Sequence, residues 1–504
     1  MKKIIIALCM VAAIASCDDA TDITQPGELG ASAAFVSVND LSVGLAGIYS
    51  VVNTGNPIAF TSRFTDEVAI GSSHGGQDTE ILQGILNENS GYAQALWANS
   101  YLTVFRVNTL LAASENITPE ADEQDLYNSS IAEALTLRAY AFSQLLAYYG
   151  EDLEDDSSLG VILIDFPANA STQLPRSTVG ETYQFIFDDL QRAEDLFDSA
   201  GTTYDKFYVS QDFVRGLRAR VANYRGAAGA AVAAANANAV IANFTLPVVG
   251  NEADYRDFWA DVSGAGANES ILTLDVTLNS GPALVSLFNT NASDLNGGPI
   301  FDMSRVVFNR LQNTFANNGD VRRPVFIDAT AEVSPSYATD VNPRDSDELV
   351  IDKYPGDPSL GGLQGGLRND NKIMRTVEMH FILAEVAARA GNFAEAARQV
   401  DLVRNARYTT STTTATYANP TAAYADILLE RRVELFIEGH RYIDVKRLGE
   451  LAGTGYDRDP VDCTLYQSPL CDRPATDTET KYLPVPLLEF TGNPAIAGQQ
   501  NPGY

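Results

Sequence analysis

Basic residues are scarce: 34 Lys and Arg stand against 65 Asp and Glu, a formal net charge of -31. A surface with that balance repels polyphosphate, which excludes nucleic acid as a partner. Cysteine is nearly absent, with only Cys9, Cys17, Cys463 and Cys471. The last two have no nearby His, so a zinc site is not expected, and the spacing of the histidines excludes H-E-x-x-H. Tryptophan is limited to Trp97 and Trp259, which leaves few of the largest aromatic faces for loops. Beyond the amino-terminal segment, no apolar run approaches the ~18 residues needed to cross a bilayer.

That amino-terminal segment is itself informative. Lys2 and Lys3 precede an apolar run from Ile4 to Ala15, too short to span a membrane, and Ile14-Ala15-Ser16-Cys17 places small residues before a cysteine. This is the lipobox pattern of an exported lipoprotein, with residues 1–16 removed as a signal peptide and Cys17 carrying the lipid. Each buried methylene contributes ~0.8 kcal/mol and stable attachment takes more than one chain, a condition that a triacylated Cys17 meets. Asp18, Asp19 and Asp22 open a polar stretch that reads as a flexible tether over 17–30. In an exported chain, Cys463 and Cys471 are expected to form a local disulfide.

The remainder, 31–504, is predominantly helical in its periodicity. Apolar stripes predict helices over Leu126–Tyr149, Thr178–Ala200, Gln211 onward through an Ala-rich stretch to Ala242, Met374–Ala390, Phe393–Arg407, Tyr424–Leu435 and His440–Leu451. Gly150, Gly201, Gly391 and Gly439 stand at the expected ends. Helices joined by such short links predict packed helix pairs of about tetratricopeptide size. Between about 243 and 370 the pattern lapses into Gly, Asn, Asp and Pro, predicting a loop-rich insert with a few short strands between helical halves at about 31–242 and 371–504.

Several motifs in fixed order resemble the SusD/RagB family of outer-membrane nutrient-binding lipoproteins. The most specific is the carboxyl end, Tyr482-Leu483-Pro484-Val485-Pro486, Asn493-Pro494 and Gln500-Asn501-Pro502-Gly503-Tyr504. Glu430–Leu435 followed by Glu438–Arg447 is a second match; Arg375–Glu385 and Val403–Arg407 are a third. Arg138–Phe142 with Tyr149-Gly150, and Trp97, Tyr101 and Asn108, complete the set. The resemblance implies one mainly α, SusD-like domain containing four tetratricopeptide-like helix pairs, without enzymatic activity or cofactor. It further implies a surface-facing position at the outer membrane, a SusC-like TonB-dependent transporter as partner, and oligosaccharide or another nutrient as ligand.

Sugar recognition sets aromatic faces against the apolar side of a pyranose and uses amides and carboxylates for its hydroxyls. Loops outside helical periodicity supply the expected ligand contacts: His74 and Tyr92 in the front segment, and Phe288, Asn289, Asn291, Phe301, Phe308 and Phe315 in the insert. Each Phe has a competing reading as core. Two other constellations invite a catalytic reading. Gly71-Ser72-Ser73-His74-Gly75 is a literal G-x-S-x-G, the alternative being a secreted serine hydrolase with Ser73 as nucleophile, but the strand-then-helix context is not predicted around it. Glu434, Glu438, His440, Arg441 and Asp444 cluster in sequence, and charge pairing is the expected role. The acidic run Glu151 to Asp156 lacks calcium-loop spacing and reads as a solvated loop.

Overall fold

A computed structural model of the chain describes residues 34–201, 204–266, 268–277, 283–289, 298–360, 368–466 and 471–504; Cys17 and Asn291 lie outside them. The amino-terminal half builds α1 (Val38–Tyr49), α2 (Gly55–Phe64), α3 (Thr79–Leu82), α4 (Gly91–Ser114), α5 (Gln124–Tyr149), α6 (Val179–Ala200), α7 (Gln211–Tyr224) and α8 (Ala230–Ile241). Helix α6 shows how sequence sets an element. Thr178 and Glu181 form a capping box, Val179, Tyr183, Ile186, Leu190, Ala193 and Phe197 make the buried stripe, and Gly201 at φ 63° ends it. The sequence predicts one helix from Gln211 to Ala242, yet the chain breaks after Tyr224. Gly226 adopts φ 59°, a left-handed conformation that favours glycine and ends the helix there.

The insert is more helical than its sequence suggests. It contains α9 (Glu252–Trp259), α10 (Arg305–Asn318) and α11 (Arg322–Phe326). In α10 the stripe Val307, Phe308, Leu311 and Thr314 is buried, but the intervening Asn and Gln residues dilute the pattern. Short antiparallel strands tie the insert to both halves: β1 (Val68–Ile70) pairs with β3 (Phe301–Met303), and β2 (Ser270–Leu274) with β4 (Asn371–Arg375). Met374, expected in a helix, is therefore in a strand.

The carboxyl half continues with α12 (Thr376–Arg389), α13 (Phe393–Asn405), α14 (Pro420–Glu434), α15 (Arg441–Ala452) and α16 (Pro460–Tyr466). Neighbouring helices pack as α4 on α5, α5 on α6, α7 on α8, α12 on α13 and α14 on α15, the helix-pair packing that the resemblance implies. One core cluster draws side chains from both halves, including Phe142, Tyr183, Phe213, Val400, Ile427 and Tyr442. A second joins the insert to Ile58, Val68, Leu82, Val433, Phe436 and Ile437. The carboxyl-terminal motif acts as a staple: Asn501 donates to Tyr149 O at 2.9 Å and Leu483 O at 2.7 Å, and accepts from Arg176. No described helix is long and apolar enough to cross a membrane.

The expected partners Cys463 and Cys471 are brought into contact with each other and stand unbonded in the structure. The Cys471 thiol sits against Arg458 O at 3.5 Å, and burial followed by contact with Cys463 pushes it up to about 12.

Between the insert and the carboxyl half lies a buried ionic network. Glu434, fully enclosed, accepts from Arg375 and Arg407 at 2.9 Å and from Arg322 at 3.2 Å. Arg322 also binds Glu430 at 2.7 Å and Asp320 at 2.9 Å, while Glu269 bridges Arg375 and Arg407 at 2.7 and 2.6 Å. Glu438 joins Arg375 at 2.6 Å and Lys353 at 2.7 Å, and Arg404 closes on Glu430 at 2.8 Å. Burial raises the pKa of Glu430, but Arg322 and Arg404 outweigh it and hold the carboxyl down to about 2.

Removing one charge strands its partners in a dry interior. Glu434→Gln should therefore cost ~3–5 kcal/mol of stability, read from urea unfolding at neutral pH. The depressed carboxyl of Glu430 sets a direction with pH. Its contribution is complete above the unfolded value of 4.5 and is lost as pH falls toward about 2. Acid titration of wild type should show that loss over the same window, and Glu430→Gln should flatten it.

Candidate functional site

The front segment leaves α2, forms β1 and then turns sharply. Gly71 is required there, because a Cβ would meet Pro299 O at 2.3 Å. Ser73 N–H donates to Pro299 O at 2.9 Å and His74 N–H to Gly71 O at 3.2 Å. Gly75 and Gly76 take positive φ, and Asp78 follows at φ 55°, a left-handed conformation that Asp tolerates. The chain then enters α3 and reaches Tyr92 in the first turn of α4.

Together these elements enclose a groove of about 520 Å3, lined by Asn56, Asp78, Thr79, Glu80, Ser90 and Tyr92 among others. That volume lies in the range of small-molecule sites. Its wall is organised by Arg63, whose Nη1 meets Asp78 at 2.7 Å and also the Tyr92 hydroxyl. Arg63 Nη2 donates to Leu287 O at 3.1 Å, so the insert fixes the guanidinium from behind. The Phe301 ring lies 4.8 Å from that guanidinium. Burial, ahead of all other causes, raises the Tyr92 hydroxyl pKa, so the phenol enters the groove protonated at neutral pH.

The expected contacts divide. Tyr92 lines the groove. His74 does not: it is buried behind the turn, edge-on to Phe301 at 5.1 Å, and its Nδ1 accepts from Gly76 N–H at 3.2 Å. Burial, then Arg344, lowers its pKa. Phe288, Phe301 and Phe308 are 1%, 0% and 2% exposed and belong to the second core cluster, so they present no face to a ligand. That corrects the expectation of loop aromatics, and Phe288→Ala would open a cavity. Asn289 is buried too, its amide donating to Ile351 O at 3.1 Å. Phe315 is 42% exposed on α10 but does not line the groove. Of the groove's lining the sequence reading named Tyr92 and not Asn56, Asp78, Thr79, Glu80 or Ser90; for Asn56 the turn-rich stretch Asn53–Pro57 was the available signal.

The catalytic constellations resolve into structure. Ser73 sits in a turn with no helix following directly, and a Cβ at Gly298 would lie 2.4 Å from its hydroxyl. His380 is held by Gln399 at 2.7 Å, and His440 lines a separate small cavity with Arg220 and Tyr224. Glu434 and Glu438 are bound by the network, Asp444 pairs with Arg431 at 2.7 Å, and Arg441 with Asp66 at 2.8 Å. In the acidic loop, Glu154 pairs with Arg389 and Asp156 with Arg225. Among the described residues no group of three or more His, Cys, Asp or Glu is placed to hold a metal ion.

Comparison with known proteins places this geometry. A model described as "SusD family" matches 309–504, and one described as "Starch-binding associating with outer membrane" matches 22–221. SusD-like protein P2 of Formosa agariphila is 23% identical over an alignment of 538 positions, covering 100% of both chains. Similar folds include a SusD superfamily protein from Bacteroides thetaiotaomicron, 20% identical, covering 93% of this chain and 100% of that one, TM-score 0.71. A putative sugar binding protein from Bacteroides vulgatus is 20% identical, with 94% and 99% covered and TM-score 0.72. A laminarin binding SusD-like protein is 21% identical, with 93% and 100% covered and TM-score 0.68. With both helical halves matched by family models and the whole chain aligned to a SusD-like protein, this chain belongs to the SusD/RagB family.

Proposed function

We propose that this protein is a surface-facing outer-membrane lipoprotein that captures oligosaccharide and hands it to a SusC-like TonB-dependent transporter. The observation that carries the reading is the open groove beside Tyr92. It combines a phenol, an amide, two hydroxyls and two carboxylates on a rigid helical scaffold. Those groups suit a polyol: hydroxyls of a sugar both donate and accept, and an aromatic edge covers the apolar side of a ring. The laminarin-binding protein of the same fold supports carbohydrate as the ligand class. Anchoring rests on Cys17, and the transporter partner rests on family membership. A non-enzymatic role is supported by Ser73 and Glu434, each embedded in the structural contacts described above.

Anchoring is tested on Cys17→Ala, which should leave detergent-phase partitioning and membrane fractions and appear in the soluble fraction. Ligand capture is tested by isothermal titration with oligosaccharides from several plant and algal glycans. Asn56→Ala and Tyr92→Ala should each weaken binding about tenfold, the effect of losing ~1.4 kcal/mol. Asn56→Ala should leave the melting temperature unchanged. The same preparation should take up no fluorophosphonate; stoichiometric labelling lost in Ser73→Ala would establish the hydrolase instead.

A further inference from the structure

Among the described residues, the groove lining holds two carboxylates, Asp78 and Glu80, and no Lys or Arg. The cation beside it is Arg63, whose two terminal nitrogens are both engaged, while its Nε is buried and makes no hydrogen bond. Its Nη1 is shared by Asp78 and the Tyr92 hydroxyl, its Nη2 is held by Leu287 O, and Phe301 lies under its plane. Its side chain is only 10% exposed. An incoming sulfate or carboxylate would have to displace Asp78 to reach that guanidinium, and would do so beside Glu80. Neutral hydroxyls meet no such barrier. Asn56, Thr79, Ser90 and Tyr92 supply uncharged donors and acceptors. The chain as a whole, at a formal -31, adds a repulsive field on approach.

Resting on the carbohydrate reading above, we propose that the groove is specific for neutral oligosaccharides, with Asp78 as the residue that excludes anionic ones by holding Arg63. Specificity here comes from a repulsive and occupied site as much as from attraction. Asp78→Asn is the informative change. Asn tolerates the left-handed backbone at this position, so the turn is kept while the guanidinium loses its counter-charge.

The test uses the full mature chain and two sets of size-matched oligosaccharides. Laminarin, cellulose, xylan and mannan fragments form the neutral set; alginate, pectate and carrageenan fragments form the anionic set. At about 20 mM salt, where screening is weak, wild type should bind its preferred neutral fragment at least about tenfold more tightly than any anionic one. Asp78→Asn should raise anionic affinity about tenfold and shift the anionic-to-neutral affinity ratio toward the anionic set; Glu80→Gln should give a smaller shift of the same sign. Wild type preferring an anionic fragment, or anionic affinity unmoved in both variants, overturns the proposal while leaving carbohydrate capture standing. Binding of neither set, or binding indifferent to both Asn56→Ala and Tyr92→Ala, removes the carbohydrate reading of this groove and this inference with it.

Discussion

Glu434 holds the molecule's two chemically different parts together. Its two oxygens accept from three arginines contributed by separate stretches, Arg322 from the insert, Arg375 from the strand that opens α12, and Arg407 from the end of α13. In a medium without water such a carboxylate is tolerable only if every lone pair is met, and the arginines are tolerable only beside it. The network therefore specifies one mutual placement of insert and scaffold. Hydrophobic contact alone would permit many.

The turn that follows Glu434 depends on the same contacts. Ile437 is a β-branched residue at φ 51°, a conformation that carries strain, and Gly439 two residues on is at φ 85°. Lys353 Nζ donates to Phe436 O at 2.7 Å, Tyr354 OH to Ile437 O at 3.0 Å, and Ile437 N–H to Glu67 at 2.9 Å. Residues from the insert and from the front segment thus clamp a strained scaffold turn from two sides. Through β1, Glu67 is one residue from the strand that leads into the groove loop. Site and scaffold are consequently not independent: the pairing of β1 with β3 and the bond from Arg63 to Leu287 O place the groove wall by reference to the insert.

Aromatic residues serve the scaffold more than the site. Tyr255, Phe258, Trp259, Phe326 and Phe436 form a continuous ring cluster in the second core. Lys353 lies 4.4 Å from the Trp259 ring, which links that cluster to the ionic network. The groove is left with Tyr92 as its aromatic side chain and with small polar groups around it. The groups that face the groove are thus mostly small and polar, and they are carried on turns fixed by hydrogen bonds.

Periodicity and capping determined the helical pairs by themselves, since Thr178, Glu181 and Gly201 act on neighbours a few residues away and need no distant partner. Order and spacing of the motifs likewise determined the family. Helix α10 was not legible because its stripe is diluted by amides, and Phe308 reads as a loop aromatic until a second core is built around it. The burial of Phe288 and Phe301 depends on strands that meet only when the insert folds back. The groove was half legible: turn chemistry marked the front segment, and Tyr92 was found within it. How its wall is arranged was decided by contacts between Arg63, Asp78 and Leu287, residues up to 224 positions apart. Local sequence sets backbone conformation, but side-chain exposure is a property of what packs against it, and only the tertiary structure fixes that.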